Sequence, residues 1–415
     1  MAEAERWKAY TQRQGELLPA FVEEALERSD PVFFIDEAVE QVELAPLEAR
    51  YATLGEHAYH PRLLLKLWLY GASQGVYSGR EIARRCRRDL GFRYLVGASA
   101  VPDFRTINRF RVRHREDFGW ILRETLRLAR AAGLVKLGLV TVDGTKVRAN
   151  TSRSKAMSHG RMQEEEARLE AEIAQLLQRL DDVQAAEDAE HGDEEDGSGG
   201  LPAELQDRER RLARLRTAKA QLEQEKGAAV EAKHQKSFAD PEANMMRVGN
   251  DGALTYAYNA QAAASEDGFI VATAVVTAAV DSGQLVPMVD AIRATTGCRP
   301  PLTIADRGYL TEAALRVLRR RRLRCLVAVG REGRATRWPR GRYTQRMHRV
   351  LRLPWARRLY ARRKTQGERP FAEIKQAMSF RRFMLRGRAK ALGEWNLVSA
   401  ASNLRRLHAL TGALA

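Results

Sequence analysis

Two aspartates stand out by what precedes them. Asp143 closes the apolar run Leu137-Gly138-Leu139-Val140-Thr141-Val142 and is followed by Gly144; Asp306 closes Leu302-Thr303-Ile304-Ala305 and is followed by Arg307-Gly308. Each run reads as a buried strand with a carboxylate at its exit, on the edge of a sheet where sites form in mixed α/β folds. On neighbouring strands the two charges would crowd, an arrangement that divalent cations relieve. Taken singly, either Asp could do no more than begin a turn, which Asp-Gly does well. Only the pair, in this strand order, carries a chemical reading.

A third acid would have to come from the C-terminal region, within YARRKTQGERPFAEIKQAMSFRRFMLRG. Glu368 and Lys375 are seven residues apart, two helical turns, and can share one face. Pro370 suits a first helical turn, which puts Glu368 near a helix start. Glu373 competes, but its five-residue offset turns it to another face. Tyr360 and Arg363 lie just upstream.

The elements that must position these residues can be read from periodicity. Residues 1–130 read as all-helical. Pro61 opens a helix over LLLKLWLYGA, Ser78 caps GREIARRCRRDL, and Pro102-Asp103 precedes FRTINRFRVRHREDF. In the last of these, Arg105, Arg109, Arg111 and Arg113 surround an apolar stripe of Phe104, Ile107 and Phe110, as in a helix-turn-helix-like DNA-binding domain. After the strand ending at Asp143 come two leucine stripes, Leu169/Ile173/Leu176/Leu180 and Leu205/Leu212/Leu215/Leu222, separated by a Gly- and acid-rich stretch. They predict an antiparallel helical hairpin with a flexible acidic tip, inserted over 161–234. Strand signals then resume: Tyr256–Ala263, a Glu266-Asp267-Gly268 turn, Phe269–Val276, a helix over Leu285–Ala294, the strand ending at Asp306, a helix over Thr311–Arg321, a strand over Arg324–Val329, and helices over Glu368–Met378 and Arg388–Leu410. That order fits a mixed sheet with flanking helices of RNase H-like type. It gives a helical domain over 1–130, a catalytic domain over 134–160 and 235–415, and the helical insertion between its parts.

Composition sets the partner class. Seventy Lys and Arg against 53 Asp and Glu leave +17 over 415 residues. The 161–234 segment holds 11 basic and 20 acidic residues, a balance of −9, so the remainder carries +26. Charge of this size on a folded chain points to a polyanion. The densest basic stretch, 316–364, has 19 Lys/Arg and a single acid, Glu332. Cys86, Cys298 and Cys325 form no CxxC pair, which argues against a disulfide framework and a zinc ribbon. The longest apolar run, 268–280, is too short to span a bilayer. The opening MAEAERWKAY lacks the apolar core of a signal peptide, so a soluble, cytosolic, strongly basic protein is expected, which the resemblance given below would make bacterial and nucleoid-associated.

With these residues in view, the sequence resembles the bacterial insertion-sequence DDE transposases with an RNase H-like catalytic domain. YHPRLLLKLWLYG, SGREIARRCRRDLGFRYLVG and PDFRTINRFR look like the N-terminal domain of that group. VDGTKVRANTS resembles its first-Asp motif, ADPEANMMRVGNDGALTYAYNAQAA the segment after the insertion, ADRGYL the second-Asp motif, and ERPFAEIKQAMSFRRFMLRG with EWNLVSAASNLRRL the Glu motif and C-terminal helix. The resemblance implies a triad of Asp143, Asp306 and Glu368 holding two Mg²⁺ ions, with Mn²⁺ able to replace them. It implies Lys375 and Arg307 as cations near the scissile phosphate, with Lys146 along the DNA backbone. The signature of the group adds Tyr360 and Arg363. Here four residues rather than three separate Arg363 from Glu368, so either Lys364 takes the Arg position or a one-residue shift restores Arg363. The activity implied is cleavage and strand transfer at terminal inverted repeats, by a homodimer on double-stranded DNA. The alternatives are a catalytically silent DNA-binding relative and an RNase H-like nuclease that cuts without joining; three intact carboxylates argue against the first.

Overall fold

The computed structural model describes residues 21–51, 58–191, 203–249, 252–330 and 339–412. The N-terminal part is helical: α1 (Pro31–Glu40), α2 (Ala45–Glu48), α3 (Pro61–Ser73), α4 (Gly79–Arg85), α5 (Leu90–Val96), α6 (Phe104–Arg113) and α7 (Phe118–Ala131). Local chemistry fixes several starts. Pro31 and Pro61 occupy first turns, where the missing N–H costs nothing. Asp103 caps α6 by accepting the Arg105 N–H at 2.8 Å. The expected single helix over 104–118 is divided instead: α6 ends at Arg113, and Phe118 opens α7.

The remainder runs β1 (Leu139–Arg148), β2 (Ala156–Ser158), α8 (His159–His191), α9 (Ala203–Lys226), β3 (Gln235–Ser237), β4 (Asn244–Val248), β5 (Ala253–Ser265), β6 (Ile270–Val276), α10 (Leu285–Thr296), β7 (Leu302–Ala305), α11 (Glu312–Arg320), β8 (Arg324–Val327), α12 (Arg342–Val350), α13 (Pro354–Ala372) and α14 (Arg388–Thr411). Six strands form a mixed sheet in the order β4-β5-β1-β7-β8, with β6 also paired to β5; β2 and β3 make a separate ribbon. The antiparallel β5–β6 hairpin, α10, β7, α11, β8 and α14 lie within a few residues of the sequence expectation. Two elements depart from it. β1 does not end at Asp143 but runs on to Arg148, because β5 continues to pair with it on one side. α13 begins at Pro354, so Glu368 lies in its closing turns, not near its start, and Pro370 falls inside the helix.

Element type changes from helix to strand between Ala131 and Leu139, but the core does not break there. One buried apolar cluster extends from Val32 in α1 to Leu407 in α14. α14 is its axis, packed against α7, α3 and β6. Trp395 is fully buried and donates its indole N–H to the Gln261 carbonyl at 2.8 Å. Asn403 satisfies β6 by accepting from Ile270 N–H at 2.8 Å and donating to its carbonyl at 3.0 Å. Such pairings let a helix seal strand backbone away from water.

α8 and α9 pack against each other around Met162, Leu169, Leu212, Leu215 and Ala218, with Ile173 alongside. Arg208 meets Glu172 at 2.9 Å, Arg211 meets Glu165 at 2.6 Å and Lys219 meets Glu166 at 2.7 Å. Arg208 near the start of α9 meets Glu172, whereas Lys219, eleven residues further on, meets the earlier Glu166, so the two run antiparallel. Of the expected acidic tip at 181–200, the part up to His191 continues α8, and 192–200 lies outside the described residues.

Arg111 on α6 and Glu394 on α14 form a buried ion pair at 2.8 Å. Glu394 also accepts from Met384 N–H at 2.8 Å and Leu385 N–H at 2.9 Å, while the guanidinium lies 4.4 Å from the Trp68 ring centroid. Burial pushes the Glu394 carboxyl up, opposed by Arg111 and the two N–H donors. Removing one partner leaves the other charged and dry. Glu394→Ala should therefore cost about 3–5 kcal/mol in denaturant unfolding, and Arg111→Met/Glu394→Leu much less. Equal losses in the two variants would show that the pair itself is not what matters.

Candidate active site

β1 lies between neighbours of opposite direction. It is parallel to β7, in register Leu139–Leu302 through Val142–Ala305, and antiparallel to β5 as far as Arg148–Ala257. The parallel pairing stops one residue before each aspartate. Asp143 and Asp306 thus occupy equivalent positions where β1 and β7 part, on strands about 4.8 Å apart. Asp143 accepts the Gly144 N–H at 2.8 Å, and Asp306 caps the 3-10 turn Arg307–Tyr309 by accepting the Gly308 N–H at 2.8 Å. Burial pushes the Asp143 carboxyl up to about 6, opposed by the Gly144 N–H and Arg363 and reinforced by the charges of Asp306 and Asp281. Asp306 is raised too, by burial first and then by Asp281.

α13 crosses this edge. Gly367 makes the approach close: a methyl group there would lie 2.5 Å from Thr141 Cγ2 on β1. One turn earlier, Arg363 is 17% exposed, with its guanidinium 3.7 Å from Asp143 Oδ2 and 3.5 Å from Glu368 Oε1. Glu368 is 56% exposed and joins Asp143 through that arginine. Glu373, the competing acid, bonds Arg405 of α14 at 3.2 Å. Past Pro370, which has no N–H to continue the ladder, the helix widens into a π turn over Glu373–Ala377. Lys375 in that turn is pushed down by burial, with the Asp143 charge acting against it and Arg381 and Lys146 adding to it.

The sequence-derived residues thus divide. Asp143, Asp306, Arg363 and Lys375 come together, Glu368 reaches them through Arg363, and Arg307 stands exposed beside Asp306. Lys146 pairs with Asp281 at 3.2 Å. Tyr360 is half-buried against the core. The Arg363 guanidinium reaches both Asp143 and Glu368, and Lys364 beside it is exposed. Among the described residues, no three His, Cys, Asp or Glu side chains are gathered closely enough to hold an ion. In the N-terminal part, Arg105, Arg109 and Arg113 are exposed at i, i+4 and i+8 on α6. Arg111 departs from the expectation of a DNA contact. It is 5% exposed, and its charge is taken by Glu394.

Sequence reasoning passed over Asp281, Asn259, Gln261 and Tyr309. The Asp281 carboxylate accepts from Asn259 at 2.7 Å and Gln261 at 2.8 Å, and the buried Tyr309 hydroxyl donates to Gln261 Oε1. The signal available was two amides at alternate positions of an otherwise apolar strand.

Comparison with known families agrees with this arrangement. A model described as a transposase domain (DUF772) matches residues 21–113, and one described as a transposase DDE domain matches residues 228–404. The chain belongs to the insertion-sequence DDE transposases. No curated protein and no solved structure matches it. The second match spans Asp306 and Glu368 and begins after Asp143. Among the described residues, no helix of this transposase is long and apolar enough to cross a membrane.

If Arg363 is the cation that works at this site, Arg363→Ala should lower DNA cleavage by about a hundredfold or more. Lys364→Ala should change it by no more than about twofold. The reverse ranking in a cleavage assay would give the signature position to Lys364.

Proposed function

We propose that this transposase has an RNase H-like catalytic domain interrupted by the α8–α9 helical hairpin, and that it cleaves DNA at element ends and joins the freed strand to a target. The observation that carries this reading is the matched exit of Asp143 and Asp306 from paired parallel strands, under a helix that brings Arg363 and Glu368 to the same edge. The donors suit hard divalent cations such as Mg²⁺ or Mn²⁺: carboxylate oxygens, partly dehydrated and held against mutual repulsion. Asp143 and Asp306 would hold them, and Glu368, which here pairs with Arg363, would complete the set by turning toward the two aspartates. When bound, such ions neutralise phosphate charge and make a water or 3′-hydroxyl nucleophilic.

The remaining work falls to cations of the chain. Arg363 tethers Glu368 and supplies charge to the phosphate beside Asp143. Lys375 and Arg307 approach from the two sides of the same edge, and Lys146 lies on the reverse face of β1. The exposed row Arg105, Arg109 and Arg113 tracks phosphates along the element end and fixes the register of binding. Two ends require two active sites, so a homodimer on DNA is the working form.

Asp143→Ala, Asp306→Ala and Glu368→Ala should each abolish Mg²⁺-dependent cleavage of end-containing DNA and leave binding within a few-fold of wild type. Glu373→Ala is the control, since its carboxylate serves Arg405. An active Glu368→Ala with an inactive Glu373→Ala would reverse the assignment. For binding, replacing Arg105, Arg109 and Arg113 together by Ala should reduce the slope of log affinity against log salt by about 3. A weaker complex with an unchanged slope would remove these residues from the phosphate contacts.

A further inference from the structure

Alternate residues of a strand face opposite sides of a sheet. Gly144 and Lys146 on β1 therefore turn away from the side where Asp143 meets Arg363. Their partners on β5 are Gln261, opposite Gly144, and Asn259, opposite Lys146. Against this second face lies Asp281, from the loop between β6 and α10. Its Oδ1 accepts from Lys146 at 3.2 Å, Asn259 at 2.7 Å and Gln261 at 2.8 Å.

Both motif glycines make room for this carboxylate. A methyl group on Gly144 would lie 2.9 Å from Asp281 Oδ1 and 2.4 Å from Gln261 Nε2. A methyl group on Gly308 would lie 3.2 Å from Asp281 Oδ2 and 3.0 Å from Asp306 Oδ1, so these two oxygens flank the same glycine. Asp281 is also wired to both catalytic segments. Lys146 sits three residues after Asp143. Gln261 accepts from Tyr309, three residues after Asp306, whose backbone closes the Asp306 turn. A surface acid placed by chance would not need a glycine on each of two segments and three donors on one oxygen.

We propose that Asp281 is a positioning residue of the reaction centre: one oxygen ties the two Asp-bearing segments together through Lys146 and the Gln261–Tyr309 pair, and the other adds negative charge behind Asp306, so the site holds a divalent cation more tightly than Asp143, Asp306 and Glu368 would unaided. The inference rests on the metal-dependent reading of the site given above. It also accounts for the glycine after each aspartate, which turn formation alone would not demand at Gly144, in mid-strand.

The test uses the full-length protein without DNA and Mn²⁺ alone as probe, with free Mn²⁺ counted by electron paramagnetic resonance and thermal unfolding recorded in chelator. Asp281→Asn, which keeps one carbonyl acceptor for the three donors, should bind Mn²⁺ about tenfold or more weakly. Its melting in chelator should stay close to wild type. If the single variant does not fold because Lys146 loses its counter-charge, Lys146→Met/Asp281→Asn removes the pair together and should bind about tenfold more weakly than Lys146→Met. Wild-type Mn²⁺ affinity in Asp281→Asn, or equal affinity in the double variant and Lys146→Met, overturns the proposal and leaves only a structural role. A failure of the underlying reading would look different. The wild type would then bind no Mn²⁺, or Asp143→Asn would bind it as the wild type does.

Discussion

β1 pairs with β7 and β5 over different lengths, and the site is the consequence. On the β7 side the ladder stops at Val142–Ala305; on the β5 side it continues to Arg148. The sheet therefore opens on one flank of a strand that is still held on the other, and Asp143 and Asp306 stand at that opening. They cannot relax apart by sliding. Val140, Val142, Ile304 and Ala305 are fully buried on strands packed on both faces, and a one-residue slip would exchange the side chains of the two faces and break the packing on each. Apolar packing thus enforces a crowding of like charges that neither residue would choose.

Everything placed around the opening answers that crowding. Arg363 reaches in from α13, which Gly367 allows to lie directly on Thr141. Pro370 and the π turn after it shift the helix phase where Lys375 faces Asp143. From the other face, Lys146 approaches but is itself matched by Asp281. The opening so balanced still has two carboxyls that hold their protons more tightly than ordinary aspartates, and that residual cost of charge is what a divalent cation would relieve.

Much of this was legible in the sequence because strand exits and helix starts are local. The two Asp motifs, the β5–β6 hairpin and α14 follow from apolar runs, a Gly turn and long helical periodicity. The full length of β1 was not, since nothing within residues 143–148 reports that β5 will go on pairing there. The start of α13 was missed for a related reason. A proline in a helix start and a proline tolerated inside a helix look alike in sequence, and only the packing of the helix against β1 decides between them. Asp281 escaped because its partners, Lys146, Asn259 and Gln261, are 135, 22 and 20 residues away. Spacing could not separate Arg363 from Lys364 either; that the Arg363 guanidinium lies 3.7 Å from Asp143 depends on how the helix sits over β1.

Residue counts also overstate the basic surface. Arg111 belongs to a motif rich in arginine, yet its charge is taken up by Glu394 inside the core. Arg208, Arg211 and Arg216 are matched to glutamates of the facing helix, in pairs that each contribute little but together neutralise the paired length of α8 and α9. Beyond that length the sequence turns acidic. From Leu180 to Ala203 the sequence contains no Lys or Arg, while nine acids fall between Asp181 and Asp196. DNA carries one negative charge for about every 1.7 Å of its axis, so a segment of this composition is poorly suited to lie along a duplex. The exposed arginines of α6 carry the opposite sign, so a polyanion suits that helical face better than it suits the acidic segment.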